Sequence, residues 1–203
     1  MLAHLRNVHD DLATGVADGL GMPLPQAATP AVEPRTDLPP SDALSILKNG
    51  PKSFAGRKLG VLVTDGTDAA VLEGLRAAVT DVGAVLETIA PVVGGVTLSD
   101  GSVLAADQMV DGGPSVLYDA VVLLPGPKAV AALAARSTAK DFVSDAFAHH
   151  KFIGYNAAST ALLEAAGVAS LLDDGCIKVT KSAAAKFVRR CAALRYWERD
   201  VQP

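Results

Sequence analysis

Aromatic residues and cysteines are scarce in this sequence of 203 residues. Only 4% of the residues are aromatic although 50% are hydrophobic, so we expect a core of closely packed aliphatic side chains. The two cysteines, Cys176 and Cys191, have neither CxxC spacing nor a nearby histidine. Their apolar neighbours predict buried thiols with a packing role, and a reduced chain fits them better than a disulfide framework does.

Two other features are also missing: an excess of basic residues and a long apolar run. The formal net charge is −4, which gives no reason to expect a nucleic-acid partner. The N-terminus has no apolar run of signal-peptide type, and no stretch approaches the roughly 18 uninterrupted apolar residues of a membrane span. We therefore expect a soluble, cytoplasmic protein that binds neither nucleic acid nor membrane.

Proline is concentrated in one part of the chain and divides it into three segments. Residues 1–21 carry an apolar stripe at helical spacing, which predicts a helix or helix pair too short to bury the stripe alone. Residues 22–55 hold seven prolines and predict an extended linker, with one helical turn between Ser41 as N-cap and Gly50 as stop. Residues 56–203 form the compact domain. The stripe consists of Leu2, Leu5, Val8, Leu12, Val16 and Leu20.

Short apolar runs alternate with amphipathic runs in the compact domain. Strands are predicted at 58–64, 84–90, 119–126, 151–155 and 175–180, and helices at 68–82, 127–135, 138–149, 159–166 and 182–199. The dipeptide Asp100-Gly101 predicts the turn of a small β-hairpin between the strands at 84–90 and 119–126. Strands that alternate with helices indicate an α/β fold, a flavodoxin-like three-layer sandwich with a mostly parallel sheet.

The stretch KFIGYNAASTALL, from Lys151 to Leu163, is the strongest candidate site. It predicts a strand, a tight turn and a helix, the junction that holds the nucleophile in many α/β enzymes. The turn carries Asn156, which cannot be activated as a nucleophile. Ser159 lies inside the helix, where we interpret it as an N-terminal cap, and no histidine accompanies it.

Other candidate features have structural interpretations. The turn VTDGTD lies where a phosphate could bind, but Asp65 and Asp68 would repel an anion, so we interpret it as a capped turn. In LPGPKAV, Pro127 removes an amide that an oxyanion hole would need. The adjacent His149 and His150 point about 100° apart on a helix and do not converge on one metal ion, which predicts a solvated helix end.

Basic residues flank both cysteines in sequence. We interpret them as a solvated face, with docking on an acidic surface as the alternative. They are Lys178, Lys181, Lys186, Arg189 and Arg190.

Three of these motifs, in this order, resemble the class I glutamine amidotransferase-like superfamily, in its intracellular protease and deglycase branch. VLVTDG, DAVVLLPG and KFIGYNAASTALLEAAG resemble the three strand–turn signatures of that superfamily. The resemblance implies that members of the superfamily have a cysteine where this sequence has Asn156. It also implies an acidic residue where this sequence has Val71 and a second glycine where it has Pro127. The scaffold is kept in this sequence while all three functional positions differ.

This combination resembles the C-terminal domain of large-subunit haem catalases. HLRNVHDDLATGVADGLGM is similar to the last helical segment of a catalase core, and GRKLGVLVTDGTDA, VTLSDGSVLAADQ and PSVLYDAVVLLPG are similar to the C-terminal domain. The resemblance implies that residues 1–21 end the core, 22–55 form the linker and 56–203 form the domain.

The same resemblance implies where the parent chemistry lies. A core tyrosine would hold the haem, and a distal histidine with an asparagine would convert hydrogen peroxide to water and oxygen, all upstream of this chain. Tyr118, Tyr155 and Tyr196 lie in the wrong domain for that role. We therefore expect no catalytic, cofactor-binding or metal-binding residue in this chain and no haem bound to it.

The expected function is that of a non-catalytic accessory domain. It would stabilise the parent tetramer, with the rest of the catalase core as its partner, and cover the approach to the haem channel. One alternative is a holdase-like chaperone or interaction module for unfolded client proteins, suggested by the N-terminal stripe and the linker. Another is a residual hydrolase or deglycase that uses Ser159 or Cys176.

Overall fold

A computed structural model describes residues 1–35 and 37–201. It divides into two compact units, Met1–Asn49 and Gly50–Pro203. None of the helices in the described ranges is both long enough and apolar enough to cross a bilayer.

The N-terminal unit contains the predicted helix pair. Its helices are α1 (Leu2–Leu5), α2 (Asp10–Gly19) and, after the proline-rich segment, α3 (Ile46–Asn49). The amide of Ala28 donates to the carbonyl oxygen of Ala3 at 2.9 Å, so part of the extended segment runs back along α1.

Two details of this unit differ from the prediction. Ser41 makes no side-chain capping bond; instead, the Ser45 hydroxyl accepts from the amide of Lys48 at 3.3 Å. Helix α2 buries Ala13 and Ala17 and leaves Leu12 and Leu20 of the predicted stripe exposed. The buried residues of α2 lie one position after those of the predicted stripe. The buried face of the helix is therefore rotated by about 100° from the predicted face.

The C-terminal unit is built on a six-stranded parallel sheet. Its strands are β1 (Lys58–Val63), β2 (Val85–Ala90), β5 (Gln108–Met109), β6 (Ala120–Leu124), β7 (Ile153–Tyr155) and β8 (Cys176–Lys178), and β3 (Val96–Thr97) and β4 (Val103–Leu104) form the separate hairpin. The strand order is β5-β2-β1-β6-β7-β8. Without the short edge strand β5, this is the flavodoxin-like order, which confirms the predicted fold class.

Helices cover both faces of the sheet, so the unit has three layers. They are α4 (Ala69–Asp81), α5 (Val130–Ala134), α6 (Ser137–Ala148), α7 (Thr160–Ala165) and α8 (Ala184–Arg190). Leu59, Val61 and Val63 of β1 pack in one core cluster with α4 and α8, while Leu62 packs in the other with α5, α6 and α7. Alternate residues of a strand point to opposite faces, and this places the two cores on either side of the sheet.

The end of the chain differs from the single helix predicted over residues 182–199. Helix α8 ends at Arg190, a short 3₁₀ turn follows, and Leu194 then adopts a left-handed conformation with φ of 62°. The break turns the chain so that the amide of Tyr196 donates to the carbonyl oxygen of His150 at 2.7 Å. Helix α8 buries Ala184, Phe187 and Val188.

Candidate functional site

The turns after β1, β6 and β7 meet at the carboxyl edge of the sheet. Ligands of open α/β sheets bind at this edge, where the strand order reverses. A cleft of about 350 Å³ lies there. It is lined by Asp68, Ala70, Val71, Leu124, Asn156, Ala157, Val179, Thr180 and Lys181. We call it the elbow cleft.

Asn156 occupies the tip of the predicted elbow and acts there as a helix cap. Its Oδ1 accepts from the amide of Ser159 at 3.0 Å, and its Nδ2 donates to the carbonyl oxygen of Pro125 at 3.0 Å. Its φ of −99° is ordinary extended backbone, whereas a nucleophile elbow depends on a sharp, strained turn. Asn156 therefore holds the turn together through both ends of its amide.

Ser159 does not have the capping role predicted for it, since it makes no side-chain capping bond and Asn156 caps the turn. Its hydroxyl is fully buried and lies 3.0 Å from the carbonyl oxygen of Leu123 and 2.9 Å from Oδ1 of Asn156. Neither partner is a general base of the kind that activates a serine.

The turn after β1 is the predicted capped turn. Oδ1 of Asp68 accepts from the amide of Val71 at 3.0 Å and caps α4. Oδ1 of Asp65 accepts from the amide of Thr97 at 2.8 Å, which ties the hairpin to the turn. The two carboxylates that would repel a phosphate thus satisfy backbone donors.

The amide after β6 is also engaged. The Gly126 amide donates to the hydroxyl oxygen of Thr64 at 2.8 Å, and Pro127 has no N–H to offer. A Cβ atom on Gly126 would lie 2.0 Å from the carbonyl oxygen of Asp65. The turns after β1 and β6 are closely packed against each other, and neither Gly126 nor Pro127 presents a free amide to the cleft.

Val71 lies in the first turn of α4, at the position where the superfamily resemblance implies an acidic residue. The first turn of α4 carries no acidic side chain. Val71 is buried and lines the elbow cleft, so the wall of the cleft on this side is apolar.

Both cysteines are free and buried, as predicted. Burial raises the pKa of the Cys176 thiol to about 11 and raises the pKa of Cys191 further. The thiolate is the reactive form of cysteine, so both thiols are weak nucleophiles at neutral pH.

The two adjacent histidines have different surroundings. His149 caps the C-terminal end of α6, but His150 is not simply solvated, because its ring stacks on Trp197 with a centroid distance of 5.9 Å. Within residues 1–35 and 37–201, no group of three or more His, Cys, Asp or Glu side chains is placed to hold a metal ion.

The lining of the elbow cleft does not fit a haem. The iron of a haem takes His, Cys, Met or Tyr as its protein ligand, and the lining of the elbow cleft contains none of these. The ring of Tyr118 lies against Gly60, Tyr155 ends β7, and Tyr196 packs edge-on against Phe152 at 6.2 Å. The three tyrosines therefore occupy separate places in the fold.

The basic residues around α8 are exposed, as expected for a solvated face. One of them, Lys181, also lines the elbow cleft together with Val179 and Thr180. The sequence contained a signal for this placement, because Val179 directly follows β8 and the carboxyl ends of parallel strands meet at one edge. The sequence pattern around the cysteines predicts only the basic face for Lys181.

Comparison with known proteins identifies relatives of this chain. A family model for the C-terminal domain found in long catalases matches residues 55–200. The chain is similar to Catalase C of Rhizobium meliloti (strain 1021), with 55% identity over 202 residues that cover 98% of this chain and 29% of the relative. It is also similar to Catalase HPII of Mycobacterium avium, with 37% identity over 95% of this chain and 28% of the relative.

Solved structures agree on the fold. A DJ-1 superfamily protein of Salmonella typhimurium, STM1931, superposes with a TM-score of 0.57 at 23% identity, covering 68% of this chain and 89% of that protein. Oxidised DJ-1 of Toxoplasma gondii superposes with a TM-score of 0.58 at 15% identity, covering 70% and 93%. The chain spans less than a third of the length of its catalase relatives, and it belongs to the family of C-terminal domains found in long catalases.

Proposed function

We propose that this chain is a non-catalytic accessory domain of a long haem catalase. The observation that carries the proposal is the family match over residues 55–200 within an alignment that extends over 202 residues of a much longer catalase. The parent protein would convert hydrogen peroxide to water and oxygen with a haem held outside this chain. The proposed location is the cytoplasm, where free thiols such as Cys176 and Cys191 persist.

The geometry of the elbow cleft supports a role without catalysis. The Asn156 side chain is committed at both ends to the turn, the Gly126 amide is committed to Thr64, and Val71 supplies an apolar wall. Acyl chemistry at an elbow needs a nucleophile, a base and free amides for the oxyanion. The same geometry disfavours a residual hydrolase that uses Ser159 or Cys176.

The proposed role is to stabilise the parent tetramer, and the N-terminal unit supports it. Val8 is 70% exposed and Leu20 is 60% exposed. Apolar side chains that are exposed in this way require a partner to be buried. We propose that residues 1–21 end the catalase core, that 22–55 are the linker and that the rest of the core and tetramer covers this surface.

The test compares the long catalase with a variant that lacks Gly50–Pro203. We expect turnover of hydrogen peroxide per haem to be retained and the tetramer to dissociate at a lower urea concentration. The purified 203-residue protein should show neither a Soret band nor peroxide turnover. Haem-dependent turnover by the 203-residue protein, or unchanged urea resistance of the shortened catalase, would contradict the proposal.

A second candidate function is a holdase-like chaperone for unfolded client proteins. The observation that favours it is the same set of exposed apolar side chains in the N-terminal unit, which could contact unfolded chains. The 203-residue protein would then suppress aggregation of a heated client at substoichiometric amounts, and removal of residues 1–49 would abolish the effect. Equal aggregation with and without the intact protein would exclude this function.

A further inference from the structure

The elbow cleft combines an apolar floor with a charged rim. Its floor consists of the buried side chains of Val71, Leu124 and Val179. Its rim carries two exposed charges of opposite sign, Asp68 and Lys181. These two charges are not equivalent in their surroundings.

The carboxylate of Asp68 is already compensated. It accepts a hydrogen bond from the amide of Val71 at 3.0 Å and caps α4, a helix of 13 residues. The N-terminal end of a helix carries a partial positive charge that favours an anion. Asp68 therefore contributes to the stability of α4 without any ligand.

The ammonium group of Lys181 has no such compensation. Its Nζ makes no ion pair or hydrogen bond within the described part of the chain. Lys181 also begins the 3₁₀ turn that leads into α8, and a cation is favoured at the C-terminal end of a helix rather than at its start. Nothing in the described fold uses this charge, yet it stands at the mouth of a cleft.

We propose that the elbow cleft binds a small aliphatic carboxylate. The carboxylate would pair with Lys181, and the aliphatic part would lie on Val71, Leu124 and Val179. The cleft volume of about 350 Å³ falls at the lower end of the range of roughly 300–1,000 Å³ for small-molecule sites. Binding involves no covalent step, so it is compatible with the non-catalytic role and does not depend on it.

The test is a methyl NMR titration of the 203-residue protein with 4-methylpentanoate and, separately, with the neutral 4-methylpentanamide. The acid should shift the methyl signals of Val71, Leu124 and Val179 and bind more tightly than the amide. Lys181→Met should weaken binding of the acid about tenfold, as expected for loss of one charged hydrogen-bonding partner, and leave binding of the amide unchanged.

Lys178→Met is the matched control, because Lys178 is exposed, belongs to β8 and does not line the cleft. It removes the same charge three residues away and should change the affinity by less than about twofold. The proposal is overturned if the acid leaves the three methyl signals in place, if acid and amide bind equally, or if the two lysine variants weaken binding to the same extent. None of these results would bear on the stabilising role in the parent tetramer.

Discussion

The two edges of the parallel sheet hold very different polar groups. At the carboxyl edge, the buried polar side chains of the turns are neutral. They belong to Thr64, Thr67 and Ser159. At the amino edge, before β7 and β8, the buried side chains are charged, with Lys151, Asp173 and Arg199 as the main ones. We refer to this second group as the amino-edge clasp.

The clasp fixes the last segment of the chain. Nε of Arg199 lies 2.6 Å from Oδ2 of Asp173, and the side chains are only 7% and 4% exposed. The guanidinium also lies over the ring of Phe147 at 4.0 Å from its centroid. Burial opposes the charge of Asp173 and is the largest single influence, but the hydrogen bond from Arg199, its positive charge and the hydrogen bond from the Gly175 amide together lower the pKa of the carboxyl.

Lys151 is the third charge at this edge. It is 3% exposed, and its Nζ donates to the carbonyl oxygens of Ser115 at 2.5 Å and Tyr118 at 2.7 Å. Burial lowers the pKa of its ammonium group to about 8.

The costly buried charges of this domain thus lie at the edge remote from the elbow cleft, and their described partners are groups of the fold itself. Enzymes with this architecture place their reactive groups at the carboxyl edge, where this chain places neutral groups that satisfy one another. Variants at the two edges should therefore differ in the size of their effects and in their dependence on pH.

The largest effect is expected from Asp173→Ala at the amino edge. The substitution leaves the guanidinium of Arg199 buried without its partner, which should lower the free energy of unfolding by about 3–5 kcal/mol. Asp174→Ala is the matched control, because Asp174 is exposed and should change it by less than about 0.5 kcal/mol. Urea unfolding measures both variants, and equal effects would show that the ion pair is not decisive.

Lys151 should make stability depend on alkaline pH. Its pKa is about 8 in the folded protein against a reference of 10.5, so between these values the unfolded chain binds the extra proton. The free energy of unfolding should therefore rise with pH over this range, by up to about 1.4 kcal/mol per unit. Urea unfolding at a series of pH values should give a smaller slope for Lys151→Met than for the natural sequence. Equal slopes would assign the pH dependence to other groups.

At the carboxyl edge, Asn156→Ala should have a smaller effect. It removes the cap of the turn before α7, which should cost about 1 kcal/mol. Asn156→Asp keeps the acceptor for the Ser159 amide and should recover most of the loss. A loss as large as that of Asp173→Ala would mean that the two edges contribute equally to stability.

The smallest effect is expected from thiol reagents. With a pKa of about 11, the thiolate fraction of Cys176 at pH 8 is about one in a thousand, and Cys191 is fully buried. The folded protein should show almost no reaction with a disulfide reagent, while both thiols react in urea. Rapid labelling of Cys176 in the folded state would revive the hydrolase alternative.

The parts of the fold that sequence predicted are those that depend on local patterns. Strands β1 and β6 are continuous apolar runs, and α4 has clear helical periodicity after two possible capping residues, Thr67 and Asp68, so the positions of these elements follow directly. The elbow was also located correctly, because a strand, a turn and a helix follow one another at Asn156. These features need no knowledge of distant contacts.

The features that sequence did not predict depend on contacts between distant residues. The two residues of β5 are too few to show any alternation. Arg199 and Asp173 lie 26 positions apart, and the left-handed break at Leu194 serves to bring the chain end to them. The cap at Asn156 was missed for a simpler reason, since Ser159 is an equally good capping residue by type.

The close approach of the turns after β1 and β6 has a consequence for any attempt to build acyl-transfer chemistry into the elbow cleft. Replacing Asn156 with cysteine would supply a thiol, but the Gly126 amide would still be held by Thr64 and Pro127 would still offer no donor. Replacing Pro127 with glycine would free a donor, yet Gly126 would remain wedged against Asp65. Each single substitution leaves the other obstacles in place. Several substitutions would therefore have to be made together before any activity could be detected.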